Sequence, residues 1–219
     1  LKQDMLRGST GGADGINVQI LREGYTPYSF YVYKQVYDTN GRPIEGTYAD
    51  LNRDNVINID DRYIHHNNTP KLSLGFASNI SYKGYDLSFN LRGVIGNYVY
   101  NRVNSSRAQY KLLSSVETVA SNLPKSVLQT QFNTTENVIL SDLYIENASF
   151  LKVDNVTFGH TFKSIFNENI TLRLSGSVQN LLTITNYSGL DPEVFGNGID
   201  NTITPRPRTF LINANIRFN

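Results

Sequence analysis

The sequence predicts an all-β fold, and three observations carry that prediction. Apolar and polar residues alternate with period two over runs of about eleven residues, the mark of a strand with one apolar face. Two such runs are joined by the two-residue turn Lys83-Gly84, a hairpin signal in which Gly supplies a positive φ. The 219 residues include 26 Asn, 16 Gly and 14 Tyr, all poorer helix formers than Ala or Leu and rich in turn and strand character.

Val18 to Leu21 and Tyr28 to Tyr37 are the first strand candidates. From Lys71 to Tyr82, residues Leu72, Leu74, Phe76, Ile80 and Tyr82 share one parity. After the turn, Tyr85, Leu87, Phe89, Leu91 and Ile95 share a parity opposite Asp86, Ser88, Asn90 and Arg92. Ala148 to Phe162 starts with Leu151 and Val153, then changes parity to Val156, Phe158 and Phe162; a bulge near Asp154-Asn155 accounts for the change. Ile170 to Asn180 places Ile170, Leu172, Leu174 and Val178 opposite Arg173, Ser175, Ser177 and Gln179. The last strand, Phe210 to Phe218, alternates through Ile212, Ala214 and Ile216.

An apolar face opposite an Asn, Ser, Arg and Gln face has two readings. One is a soluble sandwich with the apolar face in its core. The other is a transmembrane barrel with that face in lipid. Runs of about 9–11 residues suit a tilted membrane strand, whereas sandwich strands more often hold about 5–6. Connection lengths add to the barrel reading. Lys83-Gly84 and Lys163 to Glu168 are short, while Asn97 to Asn147 and Thr183 to Arg208 are long. Short turns on one side and long loops on the other match periplasmic turns and extracellular loops. Long loops without structure of their own point to function, so these two are candidates for touching a partner or a substrate.

Composition closes several classes. Lys+Arg 20 against Asp+Glu 19 gives a formal charge of +1, with no electrostatic reason to bind nucleic acid. The absence of Cys removes disulfides, thiolate metal sites and a thiol nucleophile. No apolar run approaches the roughly 18 residues of a membrane helix. Leu1 to Arg7 lacks the apolar centre of a signal peptide, and a start on Leu1 rather than Met predicts a piece of a longer protein.

Four stretches resemble the C-terminal part of SusC/RagA-type TonB-dependent outer-membrane transporters of Bacteroidetes. They are GYTPYSFYVYK (24–34); YADLNRDNVINIDDR (48–62) with the following KGYDLSFNLRGVIGNYVYN (83–101); SDLYIENASFLKVDNVTFGHTF (141–162); and LRLSGSVQNLLTITNYSGLDPEV (172–194) with the final PRPRTFLINANIRF (205–218). The resemblance implies a barrel of about 22 strands plugged by an N-terminal domain. The whole chain, 1–219, would supply six or seven of its last strands, and 48–62 an extracellular insertion. Six strands cannot close so wide a barrel, and an open lipid-facing edge is not tolerated. The family ends on an aromatic residue; here Phe218 is penultimate and Asn219 follows. The implied function is nutrient import across the cell outer membrane. Its partners are outer-membrane lipid, TonB acting through the plug, and a SusD-like surface lipoprotein. Its substrates are oligosaccharides or peptides too large for porins, so no enzyme is expected.

The best chemical motif lies in the insertion. On a twelve-residue calcium loop, Asp50, Asn52 and Asp54 fall at positions 1, 3 and 5. Val56 offers its carbonyl at 7, Asn58 sits at 9 and Asp61 at 12. Position 6, normally Gly, is Asn55, the next most tolerant of left-handed backbone. The expectation is a structural Ca²⁺; the plain alternative is an acidic solvated loop of Asx turns. His65 and His66 are adjacent, so in extended chain they point to opposite sides, and His160 stands alone. Asp142/Glu146 and Asp191/Glu193 read as loop structure rather than a glycosidase pair. Tyr25, Tyr28, Phe30, Tyr31, Tyr33 and Tyr37, with Tyr82, Tyr85, Tyr98 and Tyr100, read as an interface girdle, or as a surface for stacking on sugars or a partner. The runner-up protein is a secreted carbohydrate-binding sandwich with a calcium-stabilised loop. A barrel that is structural and does not transport is the third reading.

Overall fold

The computed structural model describes residues 4–9, 16–113, 122–133, 137–165, 170–194, 196–201 and 204–218. Among these, the strands in chain order are β1 (Met5–Ser9), β2 (Asn17–Leu21), β3 (Ser29–Val32), β4 (Gln35–Tyr37), β5 (Pro43–Tyr48), β6 (Tyr63–Ile64), β7 (Leu72–Tyr82), β8 (Tyr85–Ile95), β9 (Tyr98–Asn101), β10 (Ile145–Asn147), β11 (Phe150–Ile165), β12 (Ile170–Thr185), β13 (Ile199–Asp200) and β14 (Thr209–Phe218). Two short helices, α1 (Arg102–Arg107) and α2 (Val127–Thr130), lie between β9 and β10. The chain divides into a sheet unit (Pro70–Gly96, Ser149–Asn186, Thr204–Asn219) and a loop unit (Leu1–Thr69, Asn97–Ala148, Tyr187–Ile203).

The sheet unit is one antiparallel sheet in the order β14-β12-β11-β8-β7. Lys83 and Gly84 turn the β7–β8 hairpin with φ of 46° and 86°, the paired positive values that match the twist of flanking strands. Register then stacks the apolar sets. Phe76 faces Leu91 and Ile80 faces Leu87; Phe89 faces Val156; Val156 faces Val178; Val178 faces Phe210. The expected bulge is present, as a register shift between Val153 and Asn155. Against β8, Asp154 is the extra residue, and its insertion returns Leu151 and Val153 to the face of Val156 and Phe158.

Among the described residues nothing covers that shared apolar face, whose side chains are exposed or half-buried. Phe76 is 58%, Phe158 54% and Ile212 91% exposed, whereas Lys152 and Ser175, from the polar parity, are buried. A soluble sandwich turns its apolar face inward, and each large apolar side chain left in water forgoes about 1.5–3 kcal/mol. The sandwich reading fails on this point. Eleven residues at about 3.4 Å each reach about 37 Å, and a tilt near 45° reduces that to about 26 Å, the height of a barrel's apolar band. Strand stagger agrees with such a tilt. His160 of β11 meets Tyr85 at the β7–β8 turn, yet β11 continues to Ile165, which pairs with Ile170. A closed barrel needs this stepwise shear.

The polar face carries two ion pairs. Arg92 Nη2 lies 3.0 Å from Asp154 Oδ1, so the bulge residue also supplies a counter-charge. Arg173 Nε lies 3.0 Å from Asp86 Oδ1, reaching from β12 to β8 over the intervening β11. Gly159 makes the crossing possible: a Cβ there would sit 2.7 Å from Arg173 Nη2 and 2.8 Å from Asp86 Oδ1.

Two strands outrun their expected bounds: β11 reaches Ile165, and β12 runs on from Asn180 to Thr185. Of the short turn expected at Lys163 to Glu168, the residues up to Ile165 are strand. Residues 166–169 lie outside the described residues, as does Asn219.

The loop unit corrects several expectations. Val18 to Leu21 is a strand, but it belongs to a separate small sheet, β1-β2-β3-β6. Tyr28 to Tyr37 is not one strand. It breaks after Val32, because Tyr33 N–H donates to the Leu140 carbonyl and Asp142 N–H to the Tyr33 carbonyl, which changes the backbone partner. Asn97 to Asn147 is not a structureless loop. Among its described residues are β9, α1, α2 and β10; residues 114–121 and 134–136 lie outside the described set. A core of Val18, Phe30, Val32, Tyr100, Phe132 and Tyr144 is buried here. Tyr100, read as girdle, is fully buried with its hydroxyl donating to the Ile139 carbonyl at 2.6 Å. Tyr82 and Tyr85, by contrast, are exposed at the sheet's turn end.

Candidate functional site

The acidic loop folds on its own amides. Asp50 Oδ1 accepts from Arg53 N–H and Oδ2 from Asn55 N–H at 2.8 Å. Asn52 Oδ1 accepts from Asp54 N–H, Asp54 Oδ1 from Val56 N–H, and Asn58 Oδ1 from Asp60 N–H. Arg53 and Asn55 take φ of 65° and 66°, so Asn55 does adopt the left-handed backbone expected of position 6. Asp61 is fully buried and accepts from the N–H groups of Leu51, Asn52 and Asn58. These amides, that of Asn58 foremost, hold its carboxyl below the usual range. The donor set is all oxygen, and the Asp50 oxygens each accept a single N–H, which leaves lone pairs that suit a hard cation. Among the described residues no group of three or more Asp, Glu or His is gathered as a metal cluster.

His65 and His66 do not point apart. His66 takes φ of 60°, and the two rings meet edge-on with centroids 4.2 Å apart. His66 stacks on Tyr98 at 3.6 Å. Tyr63 hydroxyl donates to Asp142 Oδ2 at 2.6 Å and lies 2.9 Å from His65 Nδ1. With the hydroxyl proton committed to Asp142, the network assigns the imidazole proton to Nδ1. Burial, then the His66 neighbour, push the His65 pKa down. Asp142 also accepts from Gln35 N–H at 3.0 Å. The structural reading of the paired carboxylates holds here, and also at Asp191, which accepts from Glu193 N–H.

The second structural carboxylate, Glu146, builds the most site-like feature of the loop unit. β9 leads into α1, and Asn101 caps the helix by accepting from Asn104 N–H at 3.0 Å. β10 pairs beside β9, setting Glu146 opposite Val99. Glu146 Oε1 accepts from Asn101 Nδ2 and from Ser188 Oγ, both at 2.8 Å, and Oε2 from Ser188 N–H at 2.8 Å. One carboxylate thus fastens three segments far apart in sequence. β13 runs parallel to β9 and places Asp200 beside Asn101, where it accepts from the Tyr187 hydroxyl at 2.6 Å.

These ties frame a pocket of about 560 Å³ whose wall includes Val103, Arg107, Lys125, Gln129 and Leu190. Its residues come from both long connections that the sequence marked as candidates for contact with a partner or substrate. No motif or spacing announced it, since the segments converge only through pairing of β9 with β10 and β13. Among the described residues, the side chains of Arg107, Lys125 and Gln129 have no ion-pair or hydrogen-bond partner.

The sheet unit defines a class: the wall of a transmembrane antiparallel β-barrel, whose long connections carry folded structure of their own. No family model matches the chain. It is 36% identical to the TonB-dependent receptor SusC of Bacteroides thetaiotaomicron over 205 residues, which covers 92% of this chain and 20% of that protein. TonB-dependent receptor P3 of Formosa agariphila is 29% identical over 91% of this chain and 23% of its own length. Among solved structures, the RagAB peptide transporter superposes with a TM-score of 0.66 at 22% identity, over 98% of this chain and 24% of that one. The chain is homologous to SusC and other TonB-dependent receptors, and it spans about a fifth of the length of the curated relatives it matches.

Proposed function

We propose that this chain is the C-terminal part of a TonB-dependent importer in the outer membrane. Its sheet stands in lipid and its loop unit faces the cell exterior. The observation that carries the reading is the exposed apolar face running in register across five strands. Homology to receptors and likeness to a transporter support it. The cargo is an oligosaccharide or a peptide, passed on by a SusD-like surface lipoprotein. TonB supplies energy through the plug of the whole protein. The protein moves its substrate and leaves it chemically unchanged.

The test is deletion of the complete gene in the bacterium that encodes it. Growth on oligosaccharide or peptide mixtures should fall, and the intact protein should fractionate with the outer membrane. Normal growth on every such mixture, or a soluble protein, would overturn the reading.

The acidic loop is proposed to hold one structural calcium ion, bound by Asp50, Asn52, Asp54, Asn58 and Asp61 side chains and the Val56 carbonyl. When bound, the ion would stiffen the insertion from Tyr48 to Arg62. In the full protein, the double change Asp50→Ala, Asp54→Ala should remove one equivalent of calcium from the metal content. An unchanged content would sink the idea.

A further inference from the structure

The pocket beside α1 has an uneven inventory of polar groups. Most of the polar side chains around it are spent inside the protein. Asn101 and Asn104 donate to Glu146 and Ser188, Asn104 Oδ1 accepts from Ser126 Oγ, and Asp200 accepts from the Tyr187 hydroxyl. The unspent groups are the guanidinium of Arg107, the ammonium of Lys125 and the amide of Gln129. Two of the three are cations, and between them they offer many donors and one acceptor. Val103, Pro124 and Leu190 supply an apolar wall, and Leu190 is 70% exposed. Among the described residues that line the pocket none is aromatic, so those residues offer charge and amide groups rather than a ring for stacking on a sugar.

We propose that this pocket binds a carboxylate carried by the imported oligomer, with Arg107 and Lys125 as its charge partners and Gln129 as an amide donor. The proposal rests on the importer reading and narrows its cargo to acidic oligomers. A guanidinium matches a carboxylate with two parallel hydrogen bonds, and the ammonium adds a compact charge. The apolar wall takes the uncharged part of the same ligand, as in pockets that combine an apolar lining with a few convergent polar groups. Two sources share this chemistry, a uronate sugar and an acidic peptide, and the experiment separates them.

The experiment uses the whole transporter purified from outer membrane, titrated calorimetrically. The probes are tetragalacturonate, a Glu-containing tetrapeptide, and the same peptide with Gln for Glu and an amidated end. One acidic probe should bind at least about tenfold tighter than the neutral one, and which acid binds names the source. The double variant Arg107→Gln, Lys125→Gln should lose that margin. Arg42→Gln, which removes an exposed cation hydrogen-bonded to Gln131, should keep it. Equal binding of acidic and neutral probes, or undiminished binding by the double variant, would overturn the proposal. Growth separates the two levels. If gene deletion abolishes growth on the acidic oligomer and the double variant grows normally, the pocket assignment falls and the importer stands. If the deletion strain grows normally, the importer reading itself falls.

Discussion

Replacing Phe76 by Arg is expected to cost about 2–4 kcal/mol of barrel stability, the penalty for a cation near the middle of a lipid-facing strand. Phe76 sits mid-strand on β7, opposite Leu91, with 58% of its surface exposed. Among the described residues a guanidinium there has no counter-ion on its own face, because the ion pairs Arg92–Asp154 and Arg173–Asp86 belong to the polar parity. The control is Asn90→Arg on β8, whose side chain lies on that polar face beside Asn155; it should cost under about 1 kcal/mol. Folded protein in the outer-membrane fraction, resolved from unfolded by gel mobility without heating, measures both. Equal yields of the two variants would mean that the apolar face does not meet lipid.

Removing the Glu146 carboxylate is expected to loosen the loop unit by about 2–3 kcal/mol, since hydrogen bonds to a charged acceptor are worth about 1.5–3 kcal/mol each and their donors are left behind. Glu146→Ala strands the Ser188 amide and hydroxyl and the Asn101 side chain. Glu146→Gln keeps one oxygen acceptor and should lose roughly half as much. Hydrogen exchange of the Tyr98–Asn101 and Ser188 amides in the full protein reads the change locally, because exchange protection follows the free energy of local opening. Unaltered protection in the Ala variant would show that the three segments hold together without the carboxylate.

Much of the sheet unit was legible because its signal is local and periodic. Alternation placed all five long strands, and the parity change put the bulge near Asp154-Asn155, where the register shifts. Period two requires only neighbours in sequence, and a slip of one residue would turn every side chain to the wrong face. The loop unit was not legible for the opposite reason. Ser29–Val32 is buried on both faces and so shows no alternation. Just beyond it, Tyr33 takes its backbone partners from about a hundred positions away, at Leu140 and Ser141. The aromatic cluster between Tyr25 and Tyr37 divides between core and surface: Phe30 is buried and Tyr37 is 49% exposed. Residue type alone does not distinguish those fates. The His65–His66 pair was misjudged because the extended-chain argument assumed negative φ at both residues, and His66 takes the left-handed backbone that His adopts more often than most residues.

By itself, the sequence determined the strand faces, the β7–β8 turn and the oxygen-rich loop from Asp50 to Asp61. Each depends on spacing along a few residues, where backbone geometry leaves little choice. The tertiary structure decided whether the apolar face is core or surface, since alternation is identical in a sandwich and a barrel wall, and only the exposure of Phe76, Phe158 and Ile212 tells them apart. It also decided the pocket, because Arg107, Lys125 and Leu190 share no local pattern. They meet through the pairing of β9 with β10 and β13 and the single carboxylate of Glu146, contacts between distant segments that no short stretch of sequence encodes.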